Sequence, residues 1–279
     1  MATLPHAIAR LEKGLFPAIA KARRYAGHSG RIATLPELVT ARVNEVPGSF
    51  TTWFSTSTAL YFGLSKYQKP IFIVAHGIGP LADLTTCMAA YTQRAEERNH
   101  DWFGRIPEPR FSDLELGVYG AVEIVDAAPY MSTHEELKGC LASHATVLAG
   151  SANDPLIRAI FGRDAGAYLE MHAKPLREEH DPDIAKKRLG EVKFEHQMHP
   201  SLYWANFLTL EVVGVGASLC DREASTRFVA VCNDQPIKKI TEAPRLSDLA
   251  KHAKTLESES DKMRSDISVL IAMEAADVL

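Results

Sequence analysis

The chain has 279 residues, of which 46% are apolar, and its 31 lysines and arginines against 35 aspartates and glutamates give a net charge of -4. This length allows one or two domains with a large core. The nearly balanced charge excludes the basic surface by which proteins bind nucleic acid or anionic membranes. The 4 cysteines are widely spaced without a C-x-x-C pair, which excludes a disulfide framework and a zinc knuckle.

No segment of the sequence is typical of a membrane span or a signal peptide. The longest apolar run, at 207–219, is interrupted by Thr209, Glu211 and two glycines. It falls short of the roughly 20 residues that a membrane span needs. The first residues lack the basic and apolar regions of a signal peptide. We therefore predict a cytoplasmic protein with neither a membrane nor a nucleic-acid partner.

Predicted strands and helices alternate along the chain. Segments rich in Val, Ile, Phe, Tyr and Thr predict strands at 50–64, 70–75, 114–125, 146–149 and 227–232. Helical patterns cover 81–98 and, with apolar residues at spacings of three, four and seven, 246–270. This alternation predicts a single α/β domain over 1–279, with a central mixed sheet flanked by helices. The charged, proline-broken stretch at 173–204 is predicted to be a surface insertion.

Two glycine turns are candidates for binding an anion. One, at 76–79, follows a predicted strand, and the other, at 27–31, follows a helical pattern and ends in Arg31. Glycines at such turns let backbone N–H groups approach an anion, and an arginine adds a planar fork of donors. A glycine turn between a strand and a helix serves only to change the chain direction as often as it binds a ligand. A lone exposed arginine is more often a solvated charge than part of a site.

Three further features come later in the sequence. Gly117 and Gly120 lie three apart in a predicted strand, where a ligand approaches closely or the strand bulges. Glu211 stands in an apolar run, so its carboxylate must be paired or have a raised pKa. The strand at 228–232 ends in Asn233-Asp234, which suits a site at a strand end or a simple turn equally well.

One pair of histidines raises the question of a metal site. His196 and His199 stand about one helical turn apart in the sequence. They lack the H-E-x-x-H spacing and a clear third ligand. A surface helix accounts for the pair better, so we predict no metal site.

Taken in order, these features resemble the nucleoside phosphorylase and nucleosidase superfamily, of the purine nucleoside and uridine phosphorylase type. The turn at 76–79, with the preceding 62–70, is similar to the turn after that family's hairpin. The turn at 27–31 resembles its phosphate loop, with His28 and Ser29 in place of Asp-Pro. Glu211 and Asp234 resemble its ribose-binding glutamate and its purine-protonating aspartate, at the separation typical of the purine enzymes. The resemblance implies a nucleoside phosphorylase-like fold.

The resemblance also implies a role for each matching residue. Asp234 would be the general acid and Glu211 would hold the ribose hydroxyls, and these two form the catalytic set. Phosphate would be bound by Gly27, Arg31, Gly77 and Gly79. The other ribose-binding and base-binding residues would be His6, His76, Gly120, Gly150, Asp154 and Asn233. No cofactor is implied beyond inorganic phosphate as co-substrate, and self-association as a dimer or trimer of dimers follows because His6 would act across an interface.

The expected activity is phosphorolysis of a nucleoside, with purines preferred, to a free base and ribose 1-phosphate. Two alternatives stay open because Glu115 and Val118 stand where the family offers Arg and Ser or Thr to phosphate. A carboxylate beside a bound dianion repels it. A hydrolytic nucleosidase would use water, with His76 or Glu115 as the base. A non-catalytic homologue would only bind the nucleoside.

Overall fold

The computed structural model describes residues 6–50, 53–96, 104–131, 153–178, 198–210, 215–217, 225–232 and 236–243. The chain divides into two compact units, Met1–Thr241 and Glu242–Leu279, and all but the last two described residues belong to the first. The helices are α1 (Leu15–Ala26), α2 (Leu35–Val43), α3 (Leu84–Glu96), α4 (Glu108–Glu115), α5 (Pro155–Phe161) and α6 (Ala165–Glu178). The strands are β1 (Ala7–Lys13), β2 (Arg31–Ile32), β3 (Phe54–Leu64), β4 (Pro70–His76), β5 (Gly104–Arg105), β6 (Glu123–Asp126), β7 (Trp204–Leu210), β8 (Val215–Ala217), β9 (Ser225–Val231) and β10 (Ile240–Glu242).

The strands form one sheet centred on the long strand β3. Strands β1, β9, β3, β4 and β6 lie side by side, with β10 next to β1 and β2 paired to β9. Strand β7 pairs with β3, β5 and β8. Of the strand pairs whose register the described residues give, all are antiparallel except β3 and β9, which meet in parallel at Ser55 and Phe228.

The register of β3 against β7 shifts between Ser55 and Ala59. Hydroxyl groups within this irregularity replace the ladder bonds: Thr56 Oγ1 donates to the Leu208 carbonyl at 2.7 Å. The Ser57 hydroxyl donates to the Ile32 carbonyl at 2.9 Å, which joins β3 to β2. A bulge bends a strand and re-aims its side chains. Here it fixes the point at which β2 and the end of α1 approach the sheet.

Alternate residues of the central strands face two separate apolar clusters. In β3, Leu60 and Phe62 belong to the first cluster and Tyr61 to the second. The first cluster includes residues of α2, α5 and α6, and the second includes residues of α1, α3 and α4. Because both faces of the sheet are covered by helices, β4 is an almost continuous apolar run, and β3 is largely apolar at 59–64, after the Ser and Thr residues at 55–58.

Several sequence predictions are confirmed at the level of elements. The strands predicted at 50–64, 70–75 and 227–232 are β3, β4 and β9, and the helix predicted at 81–98 is α3. The strand predicted at 146–149, the helix predicted at 246–270 and residues 179–197 of the predicted insertion lie outside the described residues.

The prediction of a strand at 114–125 is wrong. Helix α4 ends at Glu115, turns follow, and only β6 at the end of this range is a strand. Pro107 precedes the helix, and Phe111 and Leu114 are fully buried at helical spacing. The side chain of Val118, by contrast, is 66% exposed. The apolar residues after α4 therefore belong to a surface turn.

The predicted nucleoside phosphorylase-like α/β fold is also wrong. The alternation of strands and helices implies several parallel neighbours that are joined through helices. The antiparallel pair of β3 and β4 agrees with the hairpin expected at 62–70. The pairs β1–β9, β3–β7 and β4–β6 are antiparallel as well, and among the pairs with a described register only β3 and β9 meet in parallel. The periodicity of the sequence identified the elements but not the directions in which they pair.

Candidate functional site

A cavity of about 630 Å³ lies between the end of α1, β2, the bulge of β3 and the turn after β4. We call it the first cavity. Its volume is within the range of small-molecule sites. The described residues that line it are Ile19, Arg23, Ala26, Gly27, His28, Gly30, Arg31, Ile32, Thr34, Ser57, His76, Gly77, Ile78, Ala82 and Phe207. It thus has apolar walls, two arginines and no carboxylate among these residues.

The turn that follows α1 forms one wall of the first cavity. Helix α1 ends because Gly27 has a φ of 70°, with its N–H donating to the Arg23 carbonyl at 3.0 Å. A Cβ at Gly30 would lie 2.1 Å from the Ala26 oxygen and 2.5 Å from the Val231 oxygen. The backbone of Gly30 packs closely between α1 and β9, directly before Arg31, so only glycine fits at this position.

Arg23 reaches across the first cavity from the last turn of α1. Its Nη2 donates to the carbonyl of Ala82, in the short 3-10 turn after β4. Ile19, Arg23 and Ala26 are four and three residues apart, so they share one face of α1 and all line the cavity. Sequence reasoning missed Arg23, although this spacing relative to the Gly27 turn was the signal that could have identified it.

Arg31 carries the second guanidinium of the first cavity, and it is paired with Glu37. Arg31 Nε and Nη2 donate to Glu37 Oε1 at 2.9 and 2.5 Å. Glu37 Oε2 accepts from the backbone N–H and the hydroxyl of Thr34 at 2.8 and 3.1 Å, which completes a capping box at the start of α2. The Arg31 and Glu37 side chains are 34% and 30% exposed, so solvent screens the pair only in part.

A second cavity of about 490 Å³ lies on the other side of this ion pair. Arg31 lines both cavities, whereas Glu37 lines only the second. The remaining described residues of the second cavity are Pro36, Thr40, Ala41, Asn44, Val46, Arg163, Pro236 and Ile237. Arg31 is therefore shared by the two cavities, whereas the carboxylate with which it pairs belongs to the second.

His76 closes the first cavity at the end of β4, and both of its ring nitrogens are bonded. Nε2 lies 3.0 Å from the Ala159 carbonyl, which can only accept, so Nε2 carries the proton. Nδ1 then accepts from the Thr58 hydroxyl at 2.9 Å, while that hydroxyl oxygen accepts the Leu35 N–H. Burial lowers the pKa of His76 below its usual 6.5, against the opposing effect of the Ala159 carbonyl. The neutral imidazole thus connects the end of β4 to α5 by a hydrogen bond.

The predicted glycines around β4 lie at or next to the first cavity. Gly77 lines it with a φ of 75°, and its N–H donates to the Ser57 carbonyl at 3.0 Å. Gly79 has a φ of 95°, and a Cβ there would lie 2.9 Å from the Tyr61 hydroxyl. A Cβ at Gly120 would lie 3.2 Å from Cδ1 of Ile78. Gly79 and Gly120 support the wall but are not among the described lining residues.

Other predicted site residues serve local structure away from the first cavity. The carbonyl of His6 accepts from the Cys232 N–H at 3.1 Å beside β1. Asp154 caps α5, as its Oδ1 accepts from the N–H groups of Leu156 and Ile157. Glu115, considered as a base, accepts from the Lys66 N–H at 2.9 Å. Four predicted positions lie outside the described residues: Gly150, Glu211, Asn233 and Asp234.

Neither a metal site nor a membrane helix is found in the part of the chain that the structure describes. No group of three or more His, Cys, Asp and Glu is placed there to hold a metal ion. Of the predicted histidine pair, His196 lies outside this part, and His199 Nδ1 is 2.6 Å from the Ser201 hydroxyl. No helix among the described residues is long and apolar enough to cross a membrane.

No protein-family model matches the sequence, and no curated protein is significantly similar to it. Among solved structures, the chain is similar to one described as "Accommodation of massive sequence variation in Nanoarchaeota by the C-type lectin fold". The TM-score is 0.57 at 16% sequence identity, over 83% of this chain and 100% of that chain. At this identity the similarity extends to the fold alone.

This similarity overturns the resemblance to the nucleoside phosphorylase and nucleosidase superfamily. The fold is like that of C-type lectins, and nothing in it supports phosphorolysis or hydrolysis of a nucleoside, a phosphorylase-type enzyme or a nucleoside-binding homologue of that superfamily. The roles that the resemblance assigned to Asp234 and Glu211 lose their basis. What remains is an observation of geometry: Gly27, Arg31 and Gly77 line one cavity.

Proposed function

We propose that the protein binds a small anionic molecule with an apolar body in the first cavity. The observation that carries this proposal is the pair of guanidinium groups, Arg23 and Arg31, on a lining that includes no carboxylate among the described residues. Similarity of fold does not establish function, so the proposal is based on the chemistry of the cavity and not on the fold. Gly27 and Gly77 line the same cavity, but their backbone N–H groups already donate to the Arg23 and Ser57 carbonyls, so the proposal rests on the two arginines.

The two arginines are suited to an anion for electrostatic reasons. Guanidinium groups present planar donor forks that match carboxylate, sulfonate and phosphate oxygens. Arg23 is half-buried, and a charge that is partly removed from water interacts more strongly with a counter-ion than an exposed one. The apolar residues Ile19, Ile32 and Phe207 provide the surface for the rest of the ligand.

A fluorescent anion with an aromatic body, anilinonaphthalene sulfonate, is a suitable probe. We expect saturable binding at one site, and the substitution Arg23→Met should weaken it about tenfold, equivalent to about 1.4 kcal/mol. Methionine keeps a long, unbranched apolar side chain at this position and removes the charge. The uncharged analogue phenylnaphthylamine should bind equally to both proteins.

Arg24 provides a matched control. It neighbours Arg23 on α1 but is exposed and does not line the cavity. The variant Arg24→Met should therefore bind the sulfonate with the affinity of the unaltered protein. Equal loss in both variants would reduce the effect to general surface charge, and no saturable binding by the unaltered protein would refute the proposal.

A further inference from the structure

We propose that Glu37 determines the selectivity of the first cavity for anions, because its carboxylate is the resident counter-ion of Arg31. This inference rests on the proposed function. A ligand anion that reaches Arg31 meets a guanidinium whose Nε and Nη2 already donate to Glu37 Oε1. The ligand and Glu37 therefore compete for the same cation, and the affinity for an anion is lower than the two arginines alone would give.

The Glu37 side chain stays in place during this competition. Its second oxygen, Oε2, is held independently by the N–H and the hydroxyl of Thr34. Loss of the bond to Arg31 thus leaves the carboxylate anchored close to the bound anion. Like charges at such a distance repel, and partial burial strengthens the repulsion. A ligand without a charge experiences neither the competition nor the repulsion.

The capping box allows the charge of Glu37 to be separated from its structural role. Glutamine serves at the third helical position of a capping box as well as glutamate does, since its amide oxygen accepts the N-cap N–H. Glu37→Gln should therefore keep the start of α2 and remove only the negative charge. Glu37→Ala removes both, so it should lower thermal stability in addition to changing affinity.

The decisive experiment measures anilinonaphthalene sulfonate and phenylnaphthylamine binding to Glu37→Gln. We expect the affinity for the sulfonate to rise by about two- to fivefold, the range that a partly exposed ion pair allows. The affinity for the uncharged analogue should not change. The gain should shrink at high salt, because screening weakens partly exposed pairs. An unchanged or lower affinity for the sulfonate would overturn the inference.

Two comparisons show whether Glu37 acts through Arg31. In the background Arg31→Met, the substitution Glu37→Gln should no longer raise the affinity by the same factor, because the shared cation is absent. Glu108→Gln removes one carboxylate from the first turn of α4, which lines neither cavity, and should leave the affinity unchanged. An equal gain in Glu108→Gln would assign the effect to net charge and contradict the inference.

Failure of this inference is distinguishable from failure of the proposed function. If the unaltered protein binds the sulfonate and Arg23→Met weakens that binding, the first cavity is an anion site whatever Glu37 does. An unchanged affinity for the sulfonate in Glu37→Gln would then refute only the role of Glu37. If the unaltered protein shows no saturable binding, both the site and the role of Glu37 are refuted.

Discussion

The chemistry that a side chain can offer depends on which of its polar atoms are already bonded. His76 and Glu115 were both considered as bases, and both are engaged within the fold: the imidazole with Thr58 and Ala159, the carboxylate with the Lys66 N–H. The sequence shows a histidine at a strand end but not its partners, which come from segments 18 and 83 residues away. Partners so distant have no local signal.

The neutral state of His76 predicts how stability depends on pH. Its pKa is lowered in the folded protein, so the unfolded chain binds the proton more readily below its usual value of 6.5. Stability is therefore unaffected by this group above that value and falls as the pH drops below it. The slope contributed by one such proton is at most about 1.4 kcal/mol per pH unit.

Urea unfolding of the unaltered protein and of His76→Gln, at about pH 7.5 and about pH 5.5, measures this contribution. Glutamine offers a donor and an acceptor but does not titrate. We expect the variant to be less stable at the higher pH and to lose less stability on acidification than the unaltered protein. Equal losses in the two proteins would show that His76 does not couple folding to protons.

At the scale of elements, prediction from sequence succeeded where burial imposes a simple pattern. Strand β4, the second half of β3 at 59–64 and the second half of β9 at 228–231 are largely apolar because helices cover both faces of the sheet. It failed at α4, whose buried residues Phe111 and Leu114 are followed by the exposed apolar residues Leu116 and Val118. An exposed apolar turn extends the apolar pattern beyond the helix, and composition alone does not distinguish it from a strand.

Asp154 illustrates the same difficulty for site residues, since a strand-end or loop carboxylate serves a cap as readily as a ligand. Its Oδ1 accepts from Leu156 and Ile157 at 2.8 and 3.0 Å, and the Tyr130 hydroxyl lies 2.8 Å from each carboxylate oxygen. Burial is the main cause that raises the pKa of Tyr130, and the hydrogen bond to the Asp154 carboxylate raises it further. The phenol therefore stays protonated and donates this hydrogen bond. The group joins the start of α5 to the segment after β6.

We expect Asp154→Ala to lower the free energy of unfolding by about 1–3 kcal/mol, since it removes an N-cap and the acceptor of a tyrosine hydroxyl. Tyr130→Phe removes only one of these interactions and should cost less. Because Asp154 does not line the first cavity, binding of anilinonaphthalene sulfonate to the folded variant should be unchanged. Weakened binding with unchanged stability would instead identify Asp154 as part of a ligand site.

At the scale of the whole molecule, the arrangement of the sheet decides which residues meet. Arg31 and the turn at 76–79 are brought together by β2 pairing with β9 and by β3 pairing with both β9 and β4. These are long-range contacts, and the order of motifs in the sequence carried no information about them. From residue type alone, the two glycine turns were separate candidates. Only the resemblance to nucleoside phosphorylases grouped Gly27, Arg31 and Gly77, and the fold that brings them to one cavity is a different one.

The two apolar clusters share one sheet, and this predicts a single cooperative unfolding transition for Met1–Thr241. Phe161 is buried in the first cluster and Phe111 in the second. Since β3 supplies Leu60 and Phe62 to one cluster and Tyr61 to the other, loss of either cluster removes the packing that holds the strand for the other. Phe161→Ala and Phe111→Ala should each cost about 3–5 kcal/mol.

Tryptophan fluorescence follows this unit alone, because all 3 tryptophans, Trp53, Trp102 and Trp204, precede its end at Thr241. In urea, both alanine variants should unfold at a lower midpoint, in one transition and with an unchanged slope, since the same surface is exposed at the end. A biphasic transition in either variant would mean that one face of the sheet persists without the other. Ile19 and Phe207 of the first cavity belong to the second cluster. In a biphasic case, the first unfolding step should therefore abolish ligand binding in the Phe111→Ala variant and leave it intact in the Phe161→Ala variant.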